Sequence, residues 1–222
     1  MNGSRGTALV RQALRRRNDG IADFWQASAV RAAPADLAGL TAVVVDGEDT
    51  FTAMLRTQLQ ALGLSVDVRR FDERPDLGRA DLLVMGPGPG DPRALSDPKI
   101  AAMGAMVDRA LDDRRPLLAI CLSHQLLALR LGFDLRRLER PNQGVQRKID
   151  LFGAGERVAF YNTYAAFVTG VEAGVEVSRD TRTGEVHALR GPNLAGLQFH
   201  PESIMTVDGT RLLGDAVRAA LA

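Results

Sequence analysis

Three side chains in this sequence could act together as a nucleophile, a base and an orienting acid: Cys121, His200 and Glu202. Cys121 closes the apolar run Pro116-Leu-Leu-Ala-Ile120, and a helical pattern then starts at Ser123 and continues through Leu126, Leu127, Leu129 and Arg130. The run reads as a buried strand, a tight turn and a helix. At such a junction the sulfur faces unused backbone N–H groups and the positive end of the helix dipole, and both favour negative charge on it. The same N–H groups can receive a developing oxyanion. The layout is that of a nucleophile elbow with Cys in place of Ser. A lone cysteine in an apolar run is more often only a small buried hydrophobe. The far end of the chain shifts the reading. There Gly196-Leu-Gln-Phe199 leads into His200, and Pro201 holds Glu202 in a restricted relation to it. A base with its own carboxylate partner is what a cysteine nucleophile requires.

The elements that must bring these residues together begin at Thr41. Ala42-Val-Val-Val-Asp46 is a buried strand by its β-branched content. Asp49-Thr50 can cap a helix over Phe51–Leu62 that stops at Gly63, and strands follow at Leu64–Phe71 and Ala80–Met85. Ser96 or Asp97 caps a helix running to about Asp113, and an amphipathic helix from Asp208 to Ala222 covers the sheet. This alternation predicts an α/β fold with a doubly wound, mostly parallel sheet flanked by helices. Residues 141–190 read as mostly short strands: the turn Asn142-Gln-Gly144, then Val145–Phe152, Val158–Tyr161 and Val168–Thr169. His124 is expected to point into packing, and His187, between Val186 and Ala188, to be partly exposed. Asp46, Glu48 and Asp49 could form a metal cluster, but acidic caps at strand-end turns are the commoner arrangement.

After the third strand comes Gly86-Pro-Gly-Pro-Gly-Asp-Pro92. Alternating Gly and Pro fixes a rigid turn and lets the backbone come close to a ligand. It lacks the spacing and the Lys-Ser/Thr of a phosphate-binding loop.

Composition excludes several classes. The 222 residues suffice for one sizeable α/β domain. A net charge of +1 argues for neither nucleic acid nor membrane as the main partner. A single cysteine cannot form an internal disulfide. The Arg-rich N-terminus is followed by no apolar run of signal-peptide or membrane-spanning length, so a cytoplasmic location is expected. Residues 1–39 differ from the rest. Leu9, Val10, Ala13 and Leu14 at helical spacing, with Arg11 and Arg15-Arg16-Arg17 between and beyond them, predict a helical extension, and Ala27–Leu40 reads as a linker.

Gly86–Pro92, Cys121-Leu-Ser-His-Gln125 and Gln198-Phe-His-Pro-Glu202, in that order and spacing, resemble the class I (triad) glutamine amidotransferases from about Leu40 to the C-terminus. The resemblance implies that Cys121, His200 and Glu202 are catalytic. It implies that Gly88, Pro89 and Gly90 line the glutamine site. The N–H groups of Gly88 or Gly90 and of Leu122 would form the oxyanion hole. Gln125, Thr163 and Tyr164 would hold the amino-acid end of L-glutamine. No cofactor or metal is implied in this chain, and magnesium is expected in a chorismate-binding synthase partner that receives the ammonia. Two departures stand out. The commonest family form has Gly two residues either side of the nucleophile, where this chain has Ala119 and Ser123. Phe160-Tyr-Asn-Thr-Tyr164 replaces the Arg-Tyr-His-Ser-Leu usual in anthranilate synthase glutaminases and is similar to phenazine-type 2-amino-2-deoxyisochorismate synthases. Leu14–Trp25 looks like the connector between synthase and glutaminase in those enzymes. With no synthase domain ahead of it, Phe24 and Trp25 would anchor on a separate partner chain. Anthranilate and 4-amino-4-deoxychorismate synthases are the neighbouring alternatives, and a non-catalytic docking subunit is a further one.

Overall fold

The computed structural model describes residues 33–73, 78, 80–168 and 174–222. The expected N-terminal helices, with Phe24 and Trp25, lie outside the described residues. Pro34–Ala222 form one compact unit.

In chain order its strands and helices are β1 (Thr41–Asp46), α1 (Thr52–Ala61), β2 (Ser65–Arg70), β3 (Leu82–Met85), α2 (Pro98–Asp112), β4 (Leu117–Ile120), α3 (Leu122–Arg130), β5 (Asp134–Arg137), β6 (Val145–Leu151), β7 (Ala154–Phe160), β8 (Tyr164–Phe167), β9 (Glu176–Arg179), β10 (Val186–Gly191), β11 (Leu194–Leu197) and α4 (Gly209–Leu221). The main sheet has seven strands in the order β2-β1-β3-β4-β11-β10-β9. The pairings from β2 through β11 are parallel, and β10 and β9 close the sheet as an antiparallel edge. β5 pairs with β8, and β6 with β7, in two small antiparallel ribbons.

Why these strands form is visible in their burial. β3 and β4 are buried along their whole length, as expected for strands with helices on both faces. Successive residues serve opposite layers. Val44, Leu82, Val84, Leu118 and Ile120 pack with Leu55 and Leu59 of α1 and Leu213 and Val217 of α4. Val43, Val45, Leu83, Met85 and Leu117 pack with Met103 and Val107 of α2 and Leu126 and Leu127 of α3. Leu37 is buried, and Asp36 pairs with Arg218, so the chain from Pro34 packs with this unit.

The caps follow simple chemistry. Asp97, rather than Ser96, caps α2: its carboxylate accepts from Lys99 N at 2.8 Å, with Pro98 at the first helical position. Before α1, the Asp49 carboxylate accepts from Phe51 N at 2.8 Å, and Asp46 Oδ1 accepts from Thr52 Oγ1 at 2.7 Å. These acidic groups close the strand-end turn.

Two expectations are corrected. The strand expected at Val168–Thr169 is instead β8, and Val168 lies just past it; Thr169 lies outside the described residues. His187, expected to be partly exposed, is 2% exposed. It sits at an irregularity in the β10–β9 pairing, between Val186 and Ala188. Val186 to Leu189 are all buried, so both faces of this strand are covered and alternation marks no exposed one. The ring packs against Phe160 of β7, with centroids 5.4 Å apart. No helix among the described residues is long and apolar enough to cross a membrane.

Candidate functional site

β4 and β11 are parallel neighbours, with Ile120 opposite Leu197. Cys121 extends the ladder by one bond, donating its N–H to Leu197 O at 2.8 Å. The two chains therefore leave the same edge of the sheet side by side, one carrying Cys121 and the other His200 three residues after Leu197.

Cys121 turns the chain from strand to helix at φ 53° and ψ −104°. A positive φ at a residue with a Cβ is strained, by about 1–3 kcal/mol. Leu122 is the first residue of α3, and a first-turn N–H has no acceptor inside its own helix. The loop Gly86–Pro92 leaves the neighbouring strand β3 and passes close by. A Cβ on Gly88 would collide with Gly47 O and meet Leu122 Cδ2 at 3.1 Å, so only glycine fits there. Gly90 has φ +137°, again a glycine conformation.

His200 is buried at 1% exposure and Glu202 at 0%, and His200 Nδ1 lies 2.6 Å from Glu202 Oε1. Burial alone would lower the histidine's pKa. The Cys121 sulfur and the Glu202 carboxylate outweigh it and hold the imidazole well above the usual 6.5. His200 Nε2 has no hydrogen-bond partner among the described residues, and the Cys121 sulfur lies 4.0 Å from the carbonyl oxygen of Tyr161, whose ring packs on His200. Two rings fix the plane of the imidazole: Phe51 at 4.9 Å and Tyr161 at 5.1 Å between centroids. The backbone is held as well. His200 N donates to Ala159 O at 2.9 Å, and Thr206 Oγ1 donates to His200 O at 2.6 Å while accepting from Ala159 N at 3.0 Å.

The remaining expected residues gather on the other flank. Gln125 Nε2 donates to Tyr164 O at 2.7 Å and to Gln198 Oε1 at 2.9 Å. Both amide hydrogens are thereby used, which directs Gln125 Oε1 as the free acceptor. Tyr164 O also accepts from Asn162 Nδ2 at 2.8 Å, and Thr163 O accepts from Leu138 N at 2.9 Å. Pinning both carbonyls sets the direction of the peptide groups around Thr163 and Tyr164. Arg93 lies 4.7 Å over the Tyr164 ring and pairs with Asp91 at 2.9 Å, so the end of the Gly-Pro loop is clipped to this turn. Hydrogen bonding to Arg93 holds the Asp91 carboxyl well below the usual carboxylate range.

The chain matches the family model "Glutamine amidotransferase class-I" over residues 43–220. It belongs to the class I glutamine amidotransferases. Among individual relatives, it is 48% identical over 221 residues to a phenazine-specific anthranilate synthase of Pseudomonas fluorescens, covering 96% of this chain and 34% of that protein. The chain thus spans about a third of the length of that relative. It is 34% identical over 193 residues to the pyocyanine-specific anthranilate synthase component 2 of Pseudomonas aeruginosa, covering 78% of this chain and 91% of that one. In fold it is similar to the crystal structure of a glutamine amidotransferase of Thermotoga maritima, with a TM-score of 0.63 at 17% identity over 73% of this chain and 76% of that one.

Against this amidotransferase background, the sequence motifs carried the residues that lie in contiguous runs. Phe51, Tyr161, Asn162 and Thr206 were missed as parts of the site. Phe51 read only as a helix start, and Thr206 lies past the recognisable motif. A signal was available for Tyr161 and Asn162: both lie in Phe160–Tyr164, the stretch that departs from the usual anthranilate synthase sequence, and Asn142 Nδ2 donates to Asn162 Oδ1 at 3.1 Å.

Proposed function

We propose that this chain hydrolyses L-glutamine to glutamate through a Cys121 thioester and delivers the ammonia to a chorismate-using synthase of the phenazine type. The observation that carries the chemistry is the buried His200–Glu202 pair, 2.6 Å apart, set beside Cys121 by adjacent parallel strands. Cys121, as thiolate, attacks the side-chain amide carbon. The oxyanion is received by the N–H groups of Leu122 and of Gly88 or Gly90. His200 gives its proton to the departing ammonia, and Glu202 keeps the imidazole oriented throughout. Water, deprotonated by His200, then cleaves the thioester and frees glutamate. Gln125 Oε1 and the backbone at Thr163 and Tyr164 hold the amino-acid end, with Pro89 lining the loop. No metal or organic cofactor enters these steps, and magnesium belongs to the synthase.

The synthase partner is supported by two observations. The exposed large apolar side chains among the described residues are Leu95, Val145, Ile204 and Val207. Leu95 follows the Gly-Pro loop, Ile204 and Val207 follow Glu202, and Val145 pairs with Phe160. Exposed apolar side chains that follow the Gly-Pro loop and Glu202 in the chain suit a docking protein. The phenazine-specific relative also aligns with 96% of this chain, including the N-terminal segment. The expected product is 2-amino-2-deoxyisochorismate. Anthranilate and 4-amino-4-deoxychorismate are kept as alternatives by relatives named anthranilate synthase component 2 and aminodeoxychorismate synthase.

Glutamate release from glutamine, measured with and without candidate synthases, tests the proposal. Stimulation by one synthase that disappears in Cys121→Ala, with ammonia-dependent amination retained, supports it. Glutamine use that survives Cys121→Ala refutes it.

A further inference from the structure

Ser123 stands where the commonest family sequence has glycine. Its side chain is fully buried, and its hydroxyl donates to Gly86 O at 2.7 Å. Gly86 is the first residue of the Gly-Pro loop, and its own N–H donates to Val45 O at 2.9 Å. The residue is thus held from β1 on one side and from α3 on the other. This second tie joins the two segments that carry the proposed oxyanion donors, since Leu122 adjoins Ser123 on the helix and Gly88 lies two residues beyond Gly86. β3 and β4 already run side by side, with Met85 opposite Ala119, but that pairing ends where both chains leave the sheet. Beyond it, Gly88 is wedged sterically between Gly47 O and the Leu122 side chain, which limits approach but does not stop the loop from moving away. A buried hydroxyl with an acceptor at 2.7 Å resists that movement, because breaking the bond leaves two polar groups unsatisfied away from water.

We propose that Ser123 is a positioning residue: its hydroxyl tethers the Gly86–Pro92 loop to the nucleophile helix, so that the Leu122 N–H and the loop N–H of Gly88 or Gly90 converge on one oxygen. A glycine at this place cannot make the tether, so here the spacing of the oxyanion donors depends on a side chain. The inference rests on the glutaminase reading. The substrate amino-acid end is held elsewhere, at Gln125 and Tyr164, and the sulfur is set by the strand–helix junction, so neither depends on the tether.

The test uses the full chain with its synthase and the variants Ser123→Ala and Ser123→Gly. Loss of one oxyanion donor lowers kcat by about 10²–10³. A donor displaced rather than removed is expected to lower kcat by about 10- to 100-fold, with KM for glutamine within about twofold. Alkylation of Cys121 by iodoacetamide needs the thiolate but no oxyanion hole, and its rate is expected to stay within about twofold of the parent. Amide exchange of the peptide spanning Gly86–Pro92 is expected to accelerate in both variants. A kcat within about twofold of the parent in Ser123→Ala overturns the proposal. So does a parallel fall in kcat and alkylation rate, which would place the role of Ser123 at the elbow. If the parent chain releases no glutamate with any synthase, the glutaminase reading fails. The tether is then judged on amide exchange alone, where faster exchange in Ser123→Ala supports it and equal exchange overturns it.

Discussion

The nucleophile and the base are positioned by different means. Cys121 is placed by the main chain: a buried strand on one side, a helix on the other, and a strained φ of 53° between them. His200 sits in a segment that belongs to no helix or strand. Side chains hold it, Glu202 and Thr206 from the same segment and Phe51 and Tyr161 from distant parts of the chain. The backbone route is cheap in side chains but stores strain. The side-chain route avoids strain but buries charge, and buried charge is costly unless every partner is kept. The two halves should therefore fail differently under mutation.

The largest effect is expected on activity at the nucleophile. Cys121→Ala should reduce glutamate release by more than about 10³-fold, with a smaller loss of stability than a change at Glu202, because the His200–Glu202 bond stays intact. Glu202→Ala should act on both properties. Removing one member of a buried charged pair destabilises by about 3–5 kcal/mol, read by denaturant unfolding, and should lower kcat as the imidazole loses its orientation. If Glu202→Ala is as stable as the parent, the contrast between the halves breaks. Thr206→Val removes the donor to His200 O and the acceptor for Ala159 N, and a loss of about 1–3 kcal/mol is expected in the same measurement. The smallest effect sharpens the strain argument: Cys121→Gly should be about as stable as Cys121→Ala or slightly more so, although glycine normally costs about 0.5–1 kcal/mol in regular structure.

The histidines extend the comparison to pH. His200 is held above its ordinary pKa, so its contribution to stability is present below about pH 6.5 and is lost as pH rises through the folded value. Its imidazole titration, followed by NMR, should move to lower pH in Cys121→Ala, because a charge that favours the protonated ring is gone. His187 behaves in the opposite sense. Burial, and after it the Arg147 charge, lower its pKa to about 4. The unfolded chain then takes up a proton first, and stability falls as pH drops from about 6.5 to 4 by about 1.4 kcal/mol per unit. His187→Leu should reduce that acid slope, and the remainder belongs to His124, whose pKa burial lowers to about 3.

What was legible in the sequence follows the same division. Cys121 and its helix, His200 and Glu202, and the Gly-Pro loop are local patterns, and local patterns survive reading along one chain. The parallel order of the central strands followed from their alternation with helices. The supports of His200 were not legible, because Phe51 and Tyr161 lie far away in sequence and meet it only through the fold. His187 misled for a related reason: an edge region reads as one-sided, but here Phe160 of a separate ribbon covers the second face of the strand. Ser123 was legible as a small residue, but the acceptor of its hydroxyl lies on another strand.

The pairing of Leu117–Ile120 with Leu194–Leu197 also bears on how this chain can vary in length. One residue added or removed between Pro116 and Cys121, or between Asn193 and His200, would shift one chemical group past the other by about 3.3 Å and turn its side chain to the opposite face of the sheet. No rotamer change recovers such a displacement. The Leu117 N–H also donates to Asn193 O at 3.0 Å, which fastens the turn that leads into the second strand. Insertions are then tolerable at the turn near Gly153, which is exposed and joins two strands outside the main sheet, and intolerable in the two short segments that carry the nucleophile and the base.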